Sequence, residues 1–581
     1  MKLKIYKKWH KKAEFEGLLF FAQVLDEMYF DYTLDTYKPP ALTSRYLCLE
    51  AIELIRDIED DLIDEANLSH VLDELDYSLR GDPVAKQLID APIEKFILRG
   101  EAVKLAETKV RLEVLKKTLH PLRYITLAQE ELLLAIENKS KSEMVALARL
   151  LSSSLINNGM SKQHLYEKTQ EFFFNGQEIT SIDATLSYFE STSPVIHHYE
   201  IYFIVSNMIS KVKESIGAFS INIIDSPPRK ALEEANNYDM SPNSDEVWVE
   251  VNDIEAGDHH TARKVAESNL DMTRDLFLLF SHKNRIEWRE ETVITQCCDE
   301  TPIVIRKPKN SMEKCFDLRP KEASHRLNDL INTISLEGTS FIKFNRAVDL
   351  HGIGSTNDIP ENQMINIWIS LETLVPSHVH GGGKIIKIIN GILPILLKKY
   401  IKRLIERVSA DLVRWDRTKY SRLLRKIPNS KGKPLYIRTL ELIALDENQV
   451  YREELFGLLD HFHLLRNRVF ELNKLLKDKE KVLGRLELHQ KKVSWQLRRI
   501  YRTRNLIVHS GRSPKYIETL IENGHDYLDQ TMAAIIEYSC GYLSASTLEQ
   551  VFDMAKLDYD TYTKNLKSID SFNADNIVLL V

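Results

Sequence analysis

Cysteine is scarce in this chain of 581 residues. Cys48, Cys297, Cys298, Cys315 and Cys540 are an odd, scattered set without a C-x-x-C pair, which excludes a cysteine zinc finger and a disulfide framework. Long apolar runs are also missing. The most apolar segment, IIKIINGILPILL, carries Lys387 and Pro394 and stays well below the ~20 residues that a membrane helix needs. The N-terminal stretch MKLKIYKKWHKKAEFEGLLFFAQVL starts basic, but Glu14 and Glu16 interrupt it and no small-residue cleavage site follows. It is expected to form a leading surface strand or helix, not a signal peptide, in a soluble cytoplasmic protein without a membrane partner. There is no internal repeat, and no low-complexity stretch long enough to act as a linker. What remains is ordinary globular composition, 43% apolar and 28% charged, which excludes disordered and fibrous classes and at ~150 residues per domain predicts three or four domains.

The net charge of −7 hides an asymmetry. Between Lys384 and Lys515 there are 16 Lys and 16 Arg against 13 Asp or Glu, a local excess of +19 that leaves −26 for the rest of the chain. Half of the 32 arginines lie in that segment. Because Arg and Lys neutralising phosphates supply most nucleic-acid affinity, a basic segment inside an acidic protein predicts a polyanion-binding region.

Periodicity divides the chain into three regions and predicts a mostly α protein. Residues 1–178 carry apolar positions at helical spacing, as in LCLEAIELIRDIEDDLI, and are expected to form an acidic helical domain. Residues 179–337 change character: EIYFIV, SINIID, EVWVEV, ETVITQ and TPIVI alternate with polar helical segments and the loop NNYDMSPNSDE, which predicts a mixed α/β domain, a candidate sensor. Residues 338–581 lose strand signals and gain long helix-period segments, predicting a basic all-α helical bundle.

The segment Arg502-Thr503-Arg504-Asn505-Leu506-Ile507-Val508-His509-Ser510-Gly511 carries the candidate chemistry. Gly511 stands where a helix C′ glycine belongs, and Ser513-Pro514 reads as the cap and first position of the next helix, so His509 is expected at an exposed helix end. Asn505 and Arg502 share its face, whereas Arg504 is offset by about 140° and meets the histidine only near a frayed end or across a groove. An imidazole that takes or returns a 2′-hydroxyl proton, beside a guanidinium that holds phosphate, suits RNA cleavage without a metal. Arg498, Arg499 and Arg502, just upstream, are expected to line the same RNA-binding groove.

Arginine, a polar residue, a short spacer and histidine at a helix end resemble the signature of the HEPN superfamily. The helix MINIWISLETLVP, with Glu372 in an aromatic and aliphatic surround, looks like the first long helix of bacterial HEPN domains similar to the Apea-like group, and the motif follows about 130 residues later. The resemblance covers roughly residues 338–560. It implies a metal-independent endoribonuclease with no cofactor, commonly a homodimer with a composite cleft, working in toxin or anti-phage defence. The target would be cellular or invader RNA, tRNA being a common class, and the trigger a phage-derived molecule or a nucleic acid. Carried over residue by residue, His509 would be the catalytic histidine, Arg504 the phosphate-binding arginine, Asn505 the residue orienting them and Glu372 a supporting group. The alternative is a non-catalytic module of the same fold that binds RNA or nucleotide, or dimerises.

Other constellations are set aside. Arg346 to His351 repeats the spacing, but Ala347 replaces the polar residue and the surroundings are not basic, so His351 is read as a decoy. Asp60-Asp61-Leu62-Ile63-Asp64 spells a diphosphate-metal spacing without the second metal motif that such enzymes need, and is read as a solvated helix face, the alternatives being contact with a basic partner or masking of the basic region. His197-His198 and Asp258-His259-His260 read as loop residues, Cys297-Cys298 as buried packing, and HVHGGGK as a glycine-rich turn without the serine or threonine of a P-loop.

Overall fold

A computed structural model of the protein describes residues 9–33, 37–61, 63–97, 104–176, 178–315 and 317–581. The chain is mostly helical, with a single antiparallel sheet in its middle; helices dominate again from Pro320 onward, apart from an isolated bridge between Ile334 and Cys540. All five expected strand segments form strands: β1 His197–Ser206, β2 Ile221–Ile224, β3 Glu246–Ala256, β4 Trp288–Gln296 and β5 Asp299–Arg306, ordered β2-β3-β1-β4-β5. The central strand β1 is apolar on both faces because both are covered. Ile201, Phe203 and Val205 pack with Ala262, Ala266 and Leu270 of the helix His259–Leu278. Tyr202 and Ile204 join Ala231 and Ala235 of the helix Arg229–Asn237 on the opposite side.

The hydrophobic cores do not follow the boundaries expected from periodicity. Residues 338–581 are shared between two cores. Leu371, Ile392, Leu497 and Val551 belong to one that is built almost wholly from this region. Leu404, Ile405, Leu440, Leu465, Leu566 and Ile577 instead join the N-terminal Phe20, Phe21, Leu47, Leu132 and Leu151 in a single cluster. The N-terminal apolar run is the heart of that cluster, not a surface element: twelve of the fourteen residues of the helix Glu16–Tyr29 are buried. Within it the Gln23 amide donates to the His461 carbonyl at 2.8 Å and accepts from the Leu464 N–H at 2.9 Å, tying the two ends of the chain together. Residues 1–8, where the basic start lies, are outside the described residues.

A fragment of residues 338–581 therefore loses half of a core. Leaving Leu404, Ile405, Leu440 and Leu465 exposed costs about 1.5–3 kcal/mol for each side chain. The fragment is expected to be insoluble or unfolded, as read by soluble expression and circular dichroism. A folded monomeric fragment would show that residues 400–486 hold a core of their own.

Candidate functional site

The motif lies on the helix Lys479–Ser510, whose 32 residues span about 48 Å. Asp478 caps its start by accepting the Glu480 N–H. Val482 and Leu486 sit in the first core, and Val493, Leu497, Ile500 and Ile507 in the second, so this helix is the spine between them. It ends at Gly511, left-handed at φ 65°, whose N–H bonds the Ile507 carbonyl at 2.9 Å. A Cβ at Gly511 meets nothing within 4 Å, so Gly511→Ala carries only the left-handed penalty. A loss of about 1 kcal/mol in chemical denaturation is expected, and a neutral result would show that the helix end re-forms without the left-handed residue. The next helix starts at Ile517, not at Ser513-Pro514: the Ile517 N–H closes a turn onto the Pro514 carbonyl, and Ser513 Oγ instead donates to Glu361.

His509 is exposed at this helix end. Arg504 is half-buried, and its Nη1 donates to Asn505 Oδ1 at 3.1 Å. Its Nε is buried and has no hydrogen-bond partner, and no carboxylate lies within ion-pairing distance of its guanidinium among the described residues. A buried donor left open costs about 1–3 kcal/mol, which makes this group the unsatisfied member of the cluster.

Its neighbours are in a different state. Arg499 is 1% exposed, and its Nη2 pairs with Glu50 at 2.8 Å and Glu74 at 2.6 Å. Arg502 pairs with Glu50 at 2.6 Å. The expectation that these two line an RNA groove is thus corrected: the carboxylates of the helices Ser44–Glu59 and Ala66–Gly81 already neutralise them. Burial pushes the Glu50 carboxyl up, but Arg499 and Arg502 together pull it down to about 2. Arg512 continues the contact, 3.7 Å from Asp57. Arg498 is half-buried beside Arg502, and burial followed by that like charge pulls its pKa down. The four upstream and motif arginines therefore split into a neutralised pair, Arg499 and Arg502, and an uncompensated pair, Arg498 and Arg504.

Glu372 is not brought to the motif. It accepts from Trp368 Nε1 at 2.9 Å and pairs with Lys384; its link to the long helix is indirect, through the Trp368 ring, which is tilted against Tyr501 with centroids 5.1 Å apart. Arg346 and His351 lie inside the helix Gly338–Thr356, not at its end. Asp60 and Asp61 follow the end of the helix Ser44–Glu59, with Asp61 at φ 56°, so the aspartates mark a turn and not one helix face.

The remaining histidines and cysteines also sit differently from expectation. His197 and His198 begin β1, and Asp258 caps the helix that His259 and His260 open. Both of those histidines bond Glu167, at 3.2 and 2.9 Å. Cys297 and Cys298 are exposed in the β4–β5 turn, with the Cys298 thiol 3.1 Å from His197 Nδ1. A two-residue hairpin turn has no interior, which is why neither thiol is packed.

Glu50 and Glu74 are the residues that sequence reasoning did not assign to the site. The signal available was the acidic run facing a basic one, which gives the sign of a contact but not its members.

Comparison with family models, with curated proteins and with solved structures finds no match to this chain. No helix among the described residues is long and apolar enough to cross a membrane.

Proposed function

We propose that the end of the helix Lys479–Ser510 is a metal-independent endoribonuclease site of the HEPN type, in which His509 moves the 2′-hydroxyl proton and Arg504 holds the phosphate under attack. The observation that carries this reading is the uncompensated guanidinium of Arg504, on the same helix end as an exposed histidine and close in sequence to Arg499 and Arg502, which the protein itself neutralises. A cation kept free of carboxylates is ready for a phosphodiester. Asn505, bonded to Arg504, orients it. Arg498, which has no carboxylate partner among the described residues, extends phosphate contact up the helix, eleven residues or about 16 Å from His509 and nearly on the same face. An anti-phage or toxin role, a phage-derived or nucleic-acid trigger, RNA as the partner, a homodimeric composite site and a cytoplasmic setting belong to this proposal through the resemblance.

The test is RNA cleavage by the full chain in the presence of EDTA. Cleavage by the wild type that His509→Ala removes and His351→Ala keeps supports the site. RNA binding without cleavage by any protein would favour the second reading, a binding module that uses the same two free arginines.

A further inference from the structure

His351, His525 and Asp529 converge although 174 residues separate the first two. His525 and Asp529 are four apart on the helix Ile517–Ser539 and so share a face, which meets His351 on the helix Gly338–Thr356. The two imidazole Nε2 atoms are 2.9 Å apart, and the same carboxylate oxygen, Asp529 Oδ1, lies 3.3 Å from one and 3.4 Å from the other. Only the His–His contact is a hydrogen bond; the carboxylate is close to both rings without hydrogen-bond geometry.

A triangle with these edges is close to one face of a zinc tetrahedron, in which bonds of about 2.0–2.1 Å set donor–donor edges of about 3.3–3.4 Å. An ion about 0.9 Å above its plane would lie about 2.0–2.1 Å from all three atoms. We propose that His351, His525 and Asp529 form a site for a divalent cation of the zinc class, with a fourth position left to water.

The surroundings fit a cation. The His525 imidazole is buried and has the Asp529 carboxylate 3.4 Å from its Nε2. Asp526 and Asp317 lie near enough to act on the same imidazole; Asp526 is itself paired with Arg403 at 2.7 Å. The Cys315 thiol is turned to Asp317, donating to its Oδ1 at 3.5 Å, and the converging donors are nitrogen and oxygen. The His525 side chain is 6% exposed and that of Asp529 42%, so the triad is rooted in the bundle and open to solvent on one side. Two other groups also bring three donors within 4.8 Å, His197 with Cys297 and Cys298, and Glu167 with His259 and His260; both Cys297 and Cys298 lie exposed in a hairpin turn, and His259 and His260 bond different oxygens of Glu167, whereas His351 and His525 share one oxygen of Asp529. Bound zinc would cross-link the helices Gly338–Thr356 and Ile517–Ser539. The site shares no residue with Arg504, Asn505 or His509 and stands independently of the ribonuclease reading.

The experiment uses the full chain stripped by chelator and titrated with ZnCl2 or CoCl2. Expected are one zinc per chain by elemental analysis, a sub-micromolar dissociation constant, a visible cobalt band of tetrahedral intensity, and a raised thermal midpoint. His351→Gln and Asp529→Asn are expected to weaken binding at least 100-fold while keeping the wild-type circular dichroism, and His509→Ala to leave it unchanged. Zinc binding that persists in both triad variants, a weak octahedral cobalt spectrum, or no binding at micromolar zinc would overturn the proposal and leave a histidine pair sharing a proton. The cobalt spectrum of the wild type decides the matter even if a variant fails to fold.

Discussion

Arg499→Ala lowers the unfolding free energy by about 3–5 kcal/mol, the largest stability loss expected from a single charged side chain here. The arginine is 1% exposed and held by two glutamates from two N-terminal helices, so its removal leaves Glu50 and Glu74 facing one another with only Arg502 to answer them. Urea denaturation of the full chain reads the loss. If pairing and not packing is the cause, Arg499→Met and Arg502→Met combined with Glu50→Leu and Glu74→Leu recover most of it, because an apolar replacement of a whole buried ion cluster is close to neutral, whereas leaving Arg502 without Glu50 is not. A single Arg499→Ala loss below about 1 kcal/mol would mean that water reaches the cluster.

The same cluster sets an acid limit. The Glu50 pKa is lowered to about 2 in the folded chain, against about 4.3 when unfolded. A lowered carboxyl contributes stability that is fully present above the unfolded value and is lost as the pH falls through the folded one, here between about pH 4 and pH 2. The window brings a loss on the order of 3 kcal/mol, and Glu50→Gln flattens it. Salt is a weak lever on this contact, because buried pairs are little screened. Simple undocking of the acidic helices by salt is therefore not expected, and it is opposed as well by the hydrophobic core that the two ends of the chain share.

Under the proposed ribonuclease reading, His509→Ala is expected to reduce RNA cleavage by about 10²–10⁴-fold, the range supplied by a positioned acid or base. In that reading its effect is expected on kcat, because the imidazole would act on the proton in flight and not on the ground-state RNA. Arg504→Ala is expected to lower kcat and raise KM together, because a phosphate contact is made before and during the reaction. Arg504→Lys separates charge from geometry: the ammonium keeps the charge but loses the planar fork, so it restores RNA affinity more than rate. Steady-state kinetics on one defined RNA in EDTA measure all three. Equal cleavage by wild type and His509→Ala would remove the histidine from the chemistry.

Some of this was legible in the residues because its causes are local. Apolar spacing at 3.6 and at 2 placed the helices and the five strands, and the freedom of glycine at positive φ placed the end of the long helix at Gly511. The opposed charges of residues 384–515 and the rest of the chain gave the sign of a contact but neither its existence nor its members. The next helix start was misplaced, since Ser513 found a partner in Glu361 that no local window contains. The N-terminal run looked like a surface element because its own pattern cannot show that residues 400–486 will cover it.

By itself, then, the sequence determined where most helices and the five strands form, where the basic segment lies, and which arginine and histidine share a helix end. Only the tertiary structure decided that Arg499 and Arg502 are spent on Glu50 and Glu74 while Arg498 and Arg504 stay uncompensated. It alone decided that His351, read as a decoy, meets His525 and Asp529. The physical reason is range: backbone preference acts over a few residues, whereas which cation meets which carboxylate is set by packing between helices 449 residues apart in the chain.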